Sequence, residues 1–277
     1  MRSSKFCLSL LLIYPIALSA QWLNAKDPKV PRLPDGKPNL TAPAPRVAGK
    51  PDLSGIWVAE GSPRKELAAY NLPSGENGLG EFDATLHFIN FFSDYPRGQE
   101  PMQPAAAQLF RDHAGAAPPT LCPPPAIPIF TLAPEPFKIV QTPGLVLFLY
   151  ESTTNFRQIL IDKRTLSPDP LPTWMGYSSG KWEGDWLVVD TVGLDERAPL
   201  DAMGHPHSSE LKLHERFRRR DFGHIDIETT IDDPKFYTKP VTLKNALVVL
   251  PDTELIESFC SEGERDLVHM RGQGPGK

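Results

Sequence analysis

Cysteine is scarce in this sequence: three among 277 residues, at positions 7, 122 and 260. None lies in a CxxC pair or beside a matched set of histidines, which argues against a structural zinc site. Long apolar runs are equally scarce. The one that stands out, FCLSLLLIYPIALSA at residues 6–20, is too short to span a bilayer as a permanent helix. Missing as well are GxGxxG, a Walker loop, HExxH and an EF-hand loop. Nucleotide cofactors, P-loop phosphoryl transfer and zincin proteolysis fall away with them. What is left is acid/base chemistry without an organic cofactor, or binding alone.

The apolar run follows Arg2 and Lys5 and closes on small residues at Ala17, Ser19 and Ala20. That is the pattern of a secretory signal, residues 1–20, cut after Ser19 or Ala20. The expected location is periplasmic or secreted, with no transmembrane segment in the mature chain. Removing the signal removes Cys7 and leaves Cys122 and Cys260, an even pair in an oxidising compartment. A disulfide between them would close a long loop and contribute about 2 to 4 kcal/mol. Losing Arg2 and Lys5 takes the formal charge from -5 to -7. Such a balance speaks against nucleic acid as a partner, whatever the local density of arginine.

Proline, by contrast, is abundant, at 31 residues, and strand-like runs lie between the prolines. Residues 21–51 read as a proline-rich extended arm, and residues 52–277 as one β domain. IWV at 56–58 is its first strand, and an irregular insertion covers about 61–136. PAAAQLFRDHAG in that insertion predicts a short helix. From FKIVQ onward the chain is a series of hairpins with turns at Pro143-Gly144, Gly184-Asp185, Phe222-Gly223 and Pro251-Asp252; ELIESFC is the last strand. The expected fold is mainly β: an antiparallel meander of roughly 8 to 10 strands closed into a barrel, with room for a ligand inside.

The stretch GHPHSSELKLHERFRRRDFGH, residues 204–224, holds the most chemistry. Taking DFG as a three-residue loop sets Arg220 opposite His224, Arg218 opposite Asp226 and Arg216 opposite Glu228. The arginine run then becomes an outer face answered by acids. Leu213, Glu215, Phe217 and Arg219 point the other way. A carboxylate among apolar neighbours costs free energy unless it is paired or protonated. Glu215 is therefore a candidate general acid or base, and Arg219 its candidate partner. His205 and His207 precede this strand near the expected barrel mouth, where imidazoles can shuttle protons. The HxH with a following carboxylate resembles the cupin metal motif, but seven residues separate His207 from Glu215, more than that motif uses, and no metal is expected. In the earlier hairpin Tyr150 and Arg157 share a face with Phe148 and Ile159. Arg157 is either an anchor for an anionic ligand group or the buried partner of an acid.

Two resemblances accompany these readings. Gly55-Ile56-Trp57 on a first strand resembles the GxW signature of lipocalins and related calycin-type barrels, in which the tryptophan closes one barrel end. More of the chain (GKPDLSGIW, PTWMGYSSGKWEGDWLVVDT, GHPHS, ERFRRRDFGHIDIETTIDDPKFYTKP and VLPDTELIES) resembles a large family of exported bacterial proteins of unassigned activity. That resemblance implies that Trp174, His205, His207, Glu215 and Arg219 sit in characteristic motifs. The expected function is binding of a small, partly apolar ligand. Any catalysis would be of lyase, isomerase or hydratase type, with Glu215, His205 and His207 reacting and Arg157, Tyr150, Trp174 and Arg219 binding. The alternative is a non-catalytic carrier of the cell envelope.

Overall fold

The computed structural model describes residues 26–70, 84–113 and 126–259. Residues 1–20, Cys122 and Cys260 lie outside them, and so do the signal and disulfide expectations. Two short strands, β1 (Arg46–Val47) and β2 (Lys50–Pro51), form a small hairpin in the arm. Next come β3 (Gly55–Ala59), the insertion with α1 (Arg64–Leu67), α2 (Leu86–Ile89), α3 (Pro104–His113) and α4 (Ile129–Leu132), then β4 (Phe137–Gln141), β5 (Leu145–Tyr150) and β6 (Asn155–Leu160). The last five strands are β7 (Tyr177–Glu183), β8 (Trp186–Val192), β9 (Lys212–Arg219), β10 (His224–Asp232) and β11 (Val241–Val249). Strands β3 to β11 close into a nine-stranded barrel in the order β10-β11-β3-β4-β5-β6-β7-β8-β9.

Alternation of apolar and polar residues fixes which face each strand turns inward. In β10, Ile225, Ile227, Thr229 and Ile231 are buried while His224, Asp226, Glu228 and Thr230 are half-exposed. The register with β9 sets Arg219 against Ile225, Arg218 against Asp226, Arg216 against Glu228 and Glu215 against Thr229. This is the pairing expected from the DFG turn. Arg216 donates to Glu228 at 2.7 Å and Arg218 to Asp226 at 2.7 Å, so the arginine run is an outer face balanced by its neighbour.

Two features of the sheet depart from a plain meander. Strands β6 and β7 run parallel, with Ile159 opposite Ser178. Residues 161–176, which carry Pro168, Pro170 and Pro172, link them. A parallel pair needs a long crossover where an antiparallel one takes a tight turn, and this proline-punctuated segment supplies it. The expected final strand is also absent: Glu254–Phe259 contributes only a bridge between Ser258 and Ser152. The barrel closes instead by pairing β11 with β3, Val248 against Val58. Glu257, within that segment, is exposed.

The two barrel ends differ. At one, Trp57 is fully buried and donates Nε1–H to the Leu53 carbonyl at 2.9 Å. The Arg219 guanidinium lies 4.8 Å from the Trp57 ring centroid, and the arm runs across this end. Phe222 and Gly223 N–H donate to the Ala42 and Leu40 carbonyls, both at 2.7 Å. A β-carbon at Gly223 would stand 2.5 Å from Leu40 Cβ, so only glycine permits this approach. At the opposite end lie the insertion, the 193–211 loop and the β10–β11 connection. There a second apolar cluster, including Phe91, Phe92, Leu200, Leu213, Ile231 and Tyr237, extends the core beyond the barrel. The first cluster fills the barrel with Trp57, Phe137, Phe148, Phe217 and Leu247 among others.

Candidate functional site

Between these two apolar clusters the barrel interior carries a polar belt. Arg157 on β6, Ser178 on β7, Thr191 on β8 and Glu215 on β9 all occupy inward positions and are buried. Arg157 donates Nε–H to Ser178 Oγ at 3.2 Å, Nη1–H to Glu215 Oε1 at 3.2 Å and Nη2–H to Thr191 Oγ1 at 3.0 Å. A second Nη2–H reaches Glu215 Oε2, and the ion-paired side chains are both fully buried. Burial alone would lower the Arg157 pKa, but the charge and hydrogen bonds of Glu215 outweigh it and leave the guanidinium raised above its ordinary value. Tyr150 adjoins the pair, its hydroxyl 3.2 Å from Thr131 Oγ1 on α4. Burial pushes this phenol up to about 12, against the opposing pull of Arg157, so Tyr150 stays protonated at neutral pH.

This geometry corrects the sequence-derived partner of Glu215, which is Arg157 rather than Arg219. Spacing along β9 placed Arg219 on the right face but at the wrong depth. Its donors instead go to the carbonyls of Asp52 at 2.6 Å, Ser54 at 3.2 Å and Phe222 at 2.5 Å. Burial lowers its pKa to about 10, which still leaves it charged. Arg157 also faces Phe148 across the β5–β6 pair, with Tyr150 opposite Asn155, so Tyr150 and Arg157 share a face one step apart.

The histidines belong to a separate cluster at the insertion-covered end. His205 Nδ1 lies 2.5 Å from Asp201 Oδ2, and the same carboxylate accepts the backbone N–H of His205 at 3.1 Å and of Phe91 at 2.6 Å. The His205 ring stacks on Phe110 of α3, centroids 4.0 Å apart, and meets Phe92 edge-on at 4.8 Å. His207 Nδ1 lies 3.0 Å from the Ser208 carbonyl. Ser208 itself is held by Asp233, which accepts its N–H and its hydroxyl, each at 2.7 Å. Tyr237 closes the loop by donating to the Pro206 carbonyl at 2.6 Å. Burial lowers the His207 pKa below its ordinary 6.5, partly opposed by Ser208, Asp233, Glu196 and Asp195.

The two clusters differ in how completely their polar atoms are satisfied. Nε2 of His205 and Nε2 of His207 are buried and have no partner among the described residues, and Asn245 Nδ2 is in the same condition. Asn245 lies on the inward face of β11, with His87 Nδ1 of α2 at 2.9 Å from its Oδ1. Backbone bonds from Ala202 and Met203 to the Phe88 and Ile89 carbonyls tie the His205 loop to that same helix. Among the described residues no three His, Cys, Asp or Glu side chains are grouped to hold a metal ion, and no helix is long and apolar enough to cross a membrane.

Trp174 sits at the rim of this end, half-buried, under the Arg197 guanidinium at 4.8 Å. Arg197 is in turn bonded to Asp195 at 2.9 and 2.5 Å. Sequence reasoning passed over Asp201, Asp233, Ser178 and Thr191. Ser178 and Thr191 could have been found as polar residues at inward-phase positions of a hairpin otherwise carrying Leu187 and Val189. Asp201 carried a weaker signal, a carboxylate four residues before His205 in a loop whose shape the sequence leaves open. Comparison of the chain with protein-family models, curated proteins and solved structures returned no match.

Proposed function

We propose that this protein binds a small, partly apolar molecule at the insertion-covered end of its barrel and moves a proton through His205, in a cofactor-independent reaction of lyase or isomerase type. The observation that carries this reading is the pair of buried imidazole Nε2 atoms without a partner on one loop. Native folds satisfy nearly all buried polar atoms, so two exceptions this close in sequence mark a place where a further group belongs. Asp201 is the positioning residue. It holds Nδ1–H of His205 and would stabilise the imidazolium formed when Nε2 takes a proton. In that step a substrate X–H bond breaks, an N–H bond forms, and the electron pair stays on X. Glu215 has both oxygens on Arg157, and we assign the pair to holding the barrel interior rather than to the reaction. Export through residues 1–20 completes the reading, in line with the resemblance to exported bacterial proteins.

A carrier that binds without reacting is the second reading. It is favoured by the depth of the imidazoles, 1% exposed at His205 and 2% at His207, which shields them from proton exchange with water. Immobilised protein exposed to a small-molecule extract of a bacterial envelope, with released compounds identified by mass spectrometry, tests both. The expected result is a compound captured by wild type and lost with His205→Phe and His207→Leu. Capture that is indifferent to both variants would move the site elsewhere, and turnover of the captured compound separates enzyme from carrier.

A further inference from the structure

At the arm end of the barrel a cavity of about 600 Å³ lies between the arm, the start of β3 and the segment that follows β11. That volume is in the ordinary range for a small-molecule site. Pro28, Val30, Ile56, Phe222, Val249 and Leu250 give it apolar walls. Arg219 reaches it from β9 and is 5% exposed. Among the described residues this guanidinium has no ion-paired carboxylate; its donors go to backbone carbonyls. Nε–H is shared between Asp221 and Phe222, Nη1 serves Asp52 and Ser54, and Nη2 serves Phe222. A guanidinium carries five N–H donors, so one Nη2–H is left over. Burying a charge that no opposite charge answers costs free energy, and burial accordingly pulls the Arg219 pKa down to about 10.

The other charges of the lining narrow the ligand class. Lys138 pairs with Glu254 at 2.7 Å, and Asp252 is held by Arg32 at 2.5 Å. Asp27 and Asp52 each turn one oxygen to a backbone N–H, of Lys29 at 2.8 Å and of Ser54 at 2.9 Å. Lys26 and Lys29 are exposed and, like Arg219, form no ion pair among the described residues. Three cations thus stand against the two acids Asp27 and Asp52, a surplus of one positive charge. A neutral ligand would leave that surplus as it is, and a dianion would exceed it. We propose that this cavity binds a small organic carboxylate, whose head accepts the remaining Nη2–H of Arg219 and whose apolar body lies against Val30, Ile56 and Val249. A charge-assisted bond at a buried guanidinium is among the stronger polar contacts. This is a second site, at the opposite end of the barrel from His205, and it stands independently of the reading given for that end.

The test is isothermal titration of the full chain with octanoate, octanamide and octyl phosphate, which share a tail and differ in the charge of the head. Octanoate is expected to bind about tenfold more tightly than octanamide, with the preference lost in Arg219→Met. Because that variant also removes bonds that hold the arm end together, two others leave every Arg219 bond in place. Replacing both exposed lysines, Lys26→Ser with Lys29→Ser, should weaken octanoate about threefold and leave octanamide unchanged. Val30→Trp should fill the cavity from the arm and abolish binding of both. Equal affinity for octanoate and octanamide in wild type would overturn the proposal, as would tighter binding of octyl phosphate or binding of none of the three. Octanoate binding that survives Val30→Trp would also overturn it, by placing the carboxylate elsewhere.

Discussion

The polar belt inside the barrel and the histidine cluster beyond it are buried to the same degree, yet they differ in completeness. Arg157, Glu215, Ser178 and Thr191 consume one another's donors and acceptors, whereas His205 and His207 each keep a nitrogen without a partner. A buried ion pair closed in this way is expensive to break and contributes little by existing, because desolvation offsets most of its attraction. An open cluster gains its missing partner only when something binds. Burial of a charged or titratable group therefore does not mark a site; an unfilled bonding capacity at such a group does.

Truncating one member of the closed pair should have the largest effect on stability. Glu215→Gln or Arg157→Met is expected to lower the unfolding free energy by about 3 to 5 kcal/mol, read by urea denaturation. The double variant Arg157→Met with Glu215→Leu should recover most of that loss, since neither charge is then left unpaired. A double variant as unstable as either single one would mean that the pair does more than neutralise itself.

Next in size is the plug at the arm end. Arg219→Met removes hydrogen bonds to four carbonyls, of Asp52, Ser54, Asp221 and Phe222, and the stack on Trp57, for an expected loss of about 2 to 3 kcal/mol. The Trp57 fluorescence should change with it. No change in either would show that Trp57 seals that end without its arginine.

A smaller effect separates the open cluster by pH. The folded pKa of His207 lies below its ordinary 6.5, so the unfolded chain binds that proton first as pH falls. The stability tied to neutral His207 is thus fully present above about pH 6.5 and is lost as pH drops through the folded value. In His207→Leu the unfolding free energy should fall less steeply below pH 6.5 than in wild type. Parallel curves would show that another group carries the dependence.

The smallest effect is expected on the surface. Arg46 and Asp185 are about half exposed, and Asp185→Asn should leave the denaturation midpoint unchanged, as is usual for exposed pairs.

Much of this was legible in the sequence where local pattern alone decides. Alternation through Leu213 to Arg219 and the DFG turn fixed the β9–β10 register, and through it the inward face of Glu215. GIW before a hairpin series pointed to a barrel with a tryptophan at one end. What could not be read were relations between distant strands. The partner of Glu215 depends on how β6 and β9 stack across the barrel, which no spacing encodes, and Arg219 was nearer in sequence. The parallel β6–β7 pair and the closure of β11 onto β3 follow from where long segments run. ELIES alternates like a strand, but it finds only a bridge at Ser152 because β3 already occupies the edge of β11.

The Asp201 carboxylate and the Ser208 carbonyl only accept, so the neutral His205 and His207 rings should each carry their hydrogen on Nδ1 and present a lone pair at Nε2. Long-range ¹⁵N correlation spectra of uniformly labelled protein at pH 7.5 report it directly, since protonated and bare ring nitrogens resonate far apart. A hydrogen on Nδ1 and a bare Nε2 are expected for both His205 and His207. A hydrogen on Nε2 of either ring would contradict it.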